Sequence, residues 1–203
     1  MKTLIQSPLD DAFVQNPYAL YARILADDPI QYWQDYDMVS VFDAKTVNAL
    51  LRDRRLGRAR PAGQTAPPRP HLSAFDALEA HSMLDLEPPR HTRLRGLVLR
   101  AFTSRRIAAL APDIDDICTV LLDGFAPREV DIIPAYCTQV PVRIIARLLG
   151  VPEEMGDQLL DWSNKMVAMY QAGVTPQIEA AANAAAAEFT DFLRGHINAR
   201  RND

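Results

Sequence analysis

The chain has 203 residues, of which 48% are hydrophobic and 24% charged, and it contains only two cysteines. These proportions are typical of a soluble globular protein and exclude the disordered, collagen-like and disulfide-stapled classes. A single folded unit of this length buries roughly 70% of its unfolded surface, so it needs no metal or cross-link to form a core. The formal net charge of −4 argues against general nucleic-acid binding.

Positive charge is concentrated in the middle of the chain. Residues 52–106 contain 12 arginines and no lysine against five acidic residues, which gives a local charge of +7. We expect this segment to face an anion or an acidic partner. The N-terminus lacks the apolar stretch of a signal peptide, and no segment reaches the ~18 apolar residues that a membrane helix needs. The sequence therefore predicts a cytoplasmic protein that does not bind membranes.

A short helix and a small sheet are the first predicted elements. Asn16 and Pro17 form a helix-start signal, and apolar residues then recur at helical spacing as far as residues 27–29, Asp-Asp-Pro. Two β-prone runs, 30–33 and 38–42, flank the polar segment 34–37 and predict a hairpin. Asp43 is the predicted N-cap of the helix that follows.

The rest of the chain is predicted to be mostly helical. Residues 57–70 contain four prolines and two glycines, which predicts a loop and marks one possible domain boundary. A short amphipathic helix is expected at 72–81, and apolar residues at 114, 117, 118, 121, 122 and 125 form the clearest helical stripe. A short strand is expected at 129–133, and further helices at 140–149, 153–170 and 176–201.

Several common active-site motifs are absent from the sequence. No two glycines form G-x-G, so neither a dinucleotide fingerprint nor a phosphate-binding P-loop is present. None of the six serines has the flanking glycines of a nucleophile elbow. The four histidines are too scattered for a zinc motif. The sequence therefore predicts no metal centre ligated by this chain.

One segment, EPPRHTRLRGLVLRAF at residues 87–102, carries a candidate binding pair. At helical spacing His91 and Arg95 lie on the same side as the apolar Leu94, Val98 and Phe102. An arginine on a core-facing side needs an anion, because removing its water without compensation costs several kcal/mol. Near a helix N-terminus, the pair suits a carboxylate or phosphate ligand. The alternative is that Arg95 pairs with a buried acidic side chain and His91 with a backbone carbonyl.

The longer string EPPRHTRLRGLVLRAFTSRRIAAL resembles the C-helix region of bacterial cytochromes P-450, which are heme-thiolate monooxygenases. The resemblance extends from NPYALYARILADDPI through QVPVRIIARLLGVPEE to LRGHINARR. It implies a mainly α fold, the N-terminal part of the cytochrome P-450 fold from helix A to about helix G, with a small β-sheet near the N-terminus. Residues 1–203 would then form an incomplete single domain. In the family, the His and the second Arg of H-T-R-L-R bind heme propionates, which implies that role for His91 and Arg95.

Two parts that family members carry later in the chain do not occur in these residues. They are the oxygen-activating helix with its A-G-x-x-T-like motif and the F-x-x-G-containing loop with the cysteine that ligates heme iron. Cys118 belongs to an apolar helical stripe and Cys137 has no glycine-rich loop around it, so neither is expected to be a metal ligand. The resemblance therefore implies heme in the complete protein, but no catalytic residue and no metal ligand in this chain.

The resemblance also nominates residues for the substrate pocket. In the family, the stretch between helices B and C and the turn between helices F and G line that pocket. By position these are Met83 and Leu84 on one side and Met166, Met169 and Tyr170 on the other. The alternative is that the methionines are ordinary core residues, because methionine at helical spacing usually is.

A redox-partner surface is the last expectation drawn from the family. There, the C-helix side of the heme docks a ferredoxin- or flavin-type partner, and Arg93 and Arg100 are the residues on the outer side of this helix. The alternative is a solvated, arginine-rich face.

The implied reaction is the insertion of one atom of O2 into a small apolar organic substrate, and we expect the 203 residues alone to be inactive. A non-catalytic helical binding or interaction module derived from the same scaffold is the main alternative. A truncated gene product without an independent role is a third.

Overall fold

A computed structural model describes residues 1–60, 63–64, 67–125, 129–171 and 173–201. The chain divides into two compact units, Met1–Arg60 and Pro61–Asp203. The division falls inside the proline-rich segment 57–70, of which positions 61–62 and 65–66 lie outside the described residues. Among the helices described, none is long and apolar enough to cross a bilayer. The predicted mainly α fold with a small sheet near the N-terminus is confirmed.

The first unit contains a three-stranded sheet. β1 (Lys2–Leu4) pairs in parallel with β2 (Ile30–Trp33), and β2 pairs antiparallel with β3 (Met38–Val41). The predicted hairpin is thus confirmed, and Asp37 closes its turn with a φ of 51°. β1 was not expected from the sequence, because a three-residue strand carries little pattern of its own. The helices of this unit are α1 (Asp11–Gln15), α2 (Tyr18–Asp27) and α3 (Ala44–Leu50).

Sheet and helices of the first unit share one apolar cluster. Leu20 and Ile24 of α2 pack with Leu4 and Trp33 of the sheet, and all four are buried. The predicted cap of α3 is also present, since the Asp43 carboxylate accepts a hydrogen bond from the Thr46 amide at 2.7 Å. Local capping and a shared core thus account for this unit.

The second unit is built from helices. Three predicted helices are confirmed to within three residues at either end, at 72–81, 140–149 and 176–201, whereas the one predicted at 153–170 is shorter because 3₁₀ turns flank it. The helices are α4 (Ser73–Glu79), α5 (Arg90–Ala101), α6 (Ser104–Ala108), α7 (Ala111–Asp123), α8 (Gln139–Leu149), α9 (Gly156–Val167) and α10 (Pro176–Arg201).

The strand predicted at 129–133 is wrong. Ile133–Cys137 forms a π-helical turn that leads into α8. Asp131 starts this turn, because its carboxylate accepts from the Ile133 amide at 3.1 Å and its carbonyl accepts from the Ala135 amide at 3.2 Å. A short apolar run fits a strand and a helical turn equally well, and here the local hydrogen bonds of the aspartate favour the turn.

α10 carries the main core of the second unit. Leu72 and Phe75, at the start of α4, pack against Ala182 and Ala186 on α10. Small alanine side chains allow the two helices to approach closely. Farther along α10, the Trp162 indole of α9 donates to the Glu188 carboxylate at 2.8 Å. α10 therefore holds α4 and α9 together.

The end of α8 is fixed by a glycine and an arginine. Gly150 has a φ of 68°, in the left-handed region that favours glycine after a helix. The Arg200 guanidinium lies directly over it and donates to the Leu149 carbonyl at 3.0 Å. A Cβ on residue 150 would lie 2.5 Å from that guanidinium, but this is the end of a flexible side chain that can shift, so the positive φ is the main reason for glycine here.

Candidate functional site

His91 and Arg95 lie one turn apart on the first half of α5. His91 is half-buried and Arg95 is exposed. Neither side chain makes a hydrogen bond or an ion pair with any described residue, so the alternative in which Arg95 pairs with a buried acid is not seen there. The expectation that this side of the helix is covered by a core is also wrong for the described chain, because no residue of α5 is buried.

Part of the apolar side of α5 is exposed. Val98 and Phe102 are 39% and 38% exposed, whereas Leu94 is half-buried. Contiguous apolar surface of this kind marks a contact surface rather than a solvated face. α5 therefore presents a histidine and an arginine side chain beside a partly uncovered apolar surface.

The start of α5 is tied to the end of α4. The Arg90 guanidinium lies 3.4 Å from the Ala80 carbonyl and 3.5 Å from Nδ1 of His81. In addition to these contacts of Arg90, the backbone amides in the first turn of α5 contribute a partial positive charge beside His91. A flat apolar molecule that carries carboxylates matches this combination of charge and exposed apolar surface.

Arg93 and Arg100 lie elsewhere on α5 and both are exposed. The second unit also carries the exposed Arg105 and Arg106 on α6. The arginines between positions 52 and 60 belong to the first unit, where Arg55 pairs with Asp53 at 2.6 Å. The positive charge of residues 52–106 is thus divided between the two units.

The five residues nominated for a substrate pocket occupy three different environments. Met166 and Met169 pack against the apolar cluster of α4 and α10. The Tyr170 hydroxyl donates to the Glu79 carboxylate at the end of α4, at 2.6 Å. Met83 and Leu84 follow α4 in a turn and are 37% and 61% exposed. The structure thus brings the residues around 166–170 onto α4, whereas Met83 and Leu84 stay at the surface.

A cavity of about 390 Å³ lies between α4 and α10. Its apolar side is formed by residues such as Ala74 and Ala187, and His81 and Arg194 stand among its polar lining. None of the five nominated residues lines it. The sequence signal that could have found it is the set of small residues on facing sides of two predicted helices.

The two cysteines are free thiols, Cys118 half-buried and Cys137 exposed. A hydrogen bond with the Cys118 thiol raises the pKa of Tyr136 above its usual value. Within the described residues, no group of three or more His, Cys, Asp or Glu side chains could hold a metal ion.

Sequence comparison identifies relatives over nearly the whole chain, although no family model matches it. It is 35% identical over 198 residues to cytochrome P-450 107B1 of Saccharopolyspora erythraea, which covers 91% of this chain and 46% of that protein. It is 32% identical over 199 residues to the cytochrome P-450 monooxygenase PikC of Streptomyces venezuelae, covering 95% of this chain and 45% of that protein. The chain belongs to the cytochrome P-450 family.

The fold agrees with this assignment. The structure of epothilone D-bound cytochrome P-450epoK superposes with a TM-score of 0.82 at 25% identity, over 98% of this chain and 50% of that one. The cytochrome P-450 PksS of Bacillus subtilis gives a TM-score of 0.78 at 27% identity, over 98% of this chain and 49% of that one. The chain thus spans about half the length of its cytochrome P-450 relatives and matches the N-terminal half of their fold.

Heme is the prosthetic group of cytochromes P-450, and the residues of α5 fit its carboxylate edge. The side chains of His91 and Arg95 have no partner among the described residues, so both remain available to an anionic ligand. The apolar side chains of Val98 and Phe102, on the same helix side in the sequence pattern, are 39% and 38% exposed. Both the charge and the uncovered surface are therefore compatible with heme.

Proposed function

We propose that this chain is the N-terminal portion of a cytoplasmic heme-dependent monooxygenase that inserts one atom of O2 into a small apolar organic substrate. Its contribution is to bind the heme propionates and to form part of the substrate pocket. The observation that carries this proposal is the unpartnered pair His91 and Arg95 on an uncovered helix of a cytochrome P-450 relative.

His91 and Arg95 hold the heme by its carboxylates in this proposal. Each makes a charge-assisted hydrogen bond to a propionate, and the first-turn amides of α5 add to the attraction. The bound heme supplies the iron that activates O2. By fixing one edge of the group, α5 orients it, and its apolar side chains exclude water from that side.

Exposed apolar side chains of the second unit support an incomplete domain. Leu99 of α5, Leu122 of α7 and Ile145 of α8 are 56%, 51% and 51% exposed. Large apolar side chains on several helices mark surfaces that another part of a protein covers. We propose that the second half of the fold covers this surface and supplies the heme-ligating cysteine, and that the chain alone is inactive.

Binding of heme by this chain can be tested in a fusion to the C-terminal half of cytochrome P-450 107B1. Charge-assisted hydrogen bonds contribute about 1.5–3 kcal/mol, so Arg95→Gln should weaken heme affinity about tenfold or more. The matched control is Arg93→Gln, on the same helix, which should leave the affinity unchanged. Equal heme affinity of the two variants would show that Arg95 does not hold the heme.

The substrate pocket is proposed to include Met83, Leu84, Met166, Met169 and Tyr170. What supports this is the position of Tyr170 against α4 and the apolar character of the neighbouring helices. An apolar pocket with few polar groups binds apolar substrates chiefly by burying their surface. Alanine substitution of Leu84 in the fusion should weaken the binding of an apolar ligand, measured by the shift of the heme spectrum; an unchanged ligand affinity would remove Leu84 from the pocket.

A ferredoxin- or flavin-type protein is the proposed electron donor, docking on the face that carries Arg93 and Arg100. Both arginines are exposed and neither forms an ion pair with a described residue. Attraction between oppositely charged surfaces speeds association at low salt. In the fusion, Arg93→Glu combined with Arg100→Glu should therefore slow heme reduction by an acidic ferredoxin at low ionic strength. Unchanged reduction rates would exclude this face as the docking site.

A further inference from the structure

The N-terminus of α4 lacks a cap of its own. The residue at the N-cap position is Leu72, whose side chain cannot accept a hydrogen bond and is fully buried. The amides of the second and third residues of a helix need an acceptor, which the N-cap side chain normally provides. In α4 these are the amides of Ala74 and Phe75. The core requires a leucine where the helix requires a polar residue.

Asn183 on α10 supplies the missing acceptor. Its side-chain Oδ1 accepts from the Ala74 amide at 2.9 Å and from the Phe75 amide at 3.2 Å. An N-cap side chain would normally accept hydrogen bonds from these two amides. Here the acceptor Asn183 lies 109 residues after Ala74 along the chain. The neighbouring Ala182 touches the same end of α4 through the apolar cluster. One turn of α10 therefore provides both the apolar contact on which α4 packs and the polar side chain that caps α4.

Two further polar contacts hold α4 at its ends. Before the helix, His71 Nε2 lies 3.1 Å from a carboxylate oxygen of Glu179 on α10. At its far end, Glu79 accepts from the Tyr170 hydroxyl at 2.6 Å. Both hydrogen bonds are accessible to solvent, so water can replace them at little cost. The amides capped by Asn183 are partly buried, so losing their acceptor costs more.

We propose that Asn183 is a positioning residue that fixes α4 on α10 by capping it across the chain. The cavity of about 390 Å³ lies between these two helices, and its walls include Ala74 on α4 and Ala187 on α10. The position of α4 on α10 therefore determines the shape of this cavity. This proposal does not rest on the proposed function, because none of the five residues proposed for the substrate pocket lines this cavity.

Hydrogen exchange of the full 203-residue chain tests the proposal without heme or substrate. Loss of a cap contributes a free-energy change that corresponds to roughly a tenfold change in an equilibrium, so Asn183→Ala should make the α4 amides exchange about tenfold faster. Asn183→Asp keeps an acceptor of equal capping strength and should restore the protection. Asn198→Ala, an exposed asparagine on the same helix, is the matched control and should change nothing.

The outcome of this experiment decides the role of Asn183 in every case. Faster exchange confined to α4, with rescue by aspartate, supports a positioning role. Unchanged exchange in Asn183→Ala overturns it, as does failure of Asn183→Asp to rescue. An equal loss of protection in α4, α7 and α8 also overturns it, because that pattern indicates general destabilisation. Since no heme is present, these results are separate from any failure of the heme proposal.

Discussion

Leu72 is the fully buried anchor of α4 on α10, and its truncation should destabilise the second unit strongly. Leu72→Ala removes three carbon-sized groups, which at about 0.8 kcal/mol each lowers the free energy of unfolding by about 2.4 kcal/mol. The cavity left among Phe75, Ala182 and Ala186 adds to this, and measured Leu→Ala changes range over about 2–5 kcal/mol. We therefore expect a loss of about 3 kcal/mol.

Urea unfolding followed by far-UV circular dichroism measures this change, because most of the helix signal comes from the second unit. With a slope of about 2 kcal/mol per molar urea, a loss of about 3 kcal/mol lowers the midpoint by about 1.5 M. The control is Leu122→Ala on α7, where the leucine is 51% exposed and the expected shift is small. An equal shift of the urea midpoint in both variants would contradict the packing of Leu72 against Ala182 and Ala186 of α10.

The remaining predictions concern three local contacts. Gly150→Ala should lower the free energy of unfolding by about 1–2 kcal/mol, since it strains a left-handed residue and displaces Arg200; an unchanged urea midpoint would argue against it. Hydrogen bonds from the backbone at Thr46 hold the pKa of Asp43 below its usual value, so its contribution to α3 is present above the ordinary carboxyl pKa and is lost as the pH falls through the lowered one. A carboxyl NMR titration should show this lowered pKa, and a normal value would contradict the cap. Tyr170→Phe should speed amide exchange at the end of α4 only, with no change at its start.

Local signals predicted much of the first unit correctly. The hairpin follows from two β-prone runs around a polar turn, and the cap of α3 follows from Asp43 because a cap acts within three residues. β1 and the turn at Ile133–Cys137 were missed for a common reason. Each is short, and its conformation depends on a partner or on one side chain rather than on periodicity.

The site was predicted less completely. The spacing of His91 and Arg95 placed both on one helix, which the structure confirms, but the covering core expected there is missing from the described chain. The partners of that face do not lie among the described residues. Asn183 could not have been found from the sequence, because a cap supplied across 109 residues leaves no local pattern. Contacts between distant segments of the chain could not be predicted from its sequence.

We propose that this chain is half of a heme-binding domain, in which α5 holds the heme and the other half supplies the thiolate ligand. The carbon monoxide difference spectrum of the reduced, heme-treated protein tests it most directly. We predict no thiolate-type band from residues 1–203 alone and such a band from their fusion to the C-terminal half of cytochrome P-450 107B1. A thiolate-type band from the isolated chain, or a folded fusion that binds no heme, would contradict it.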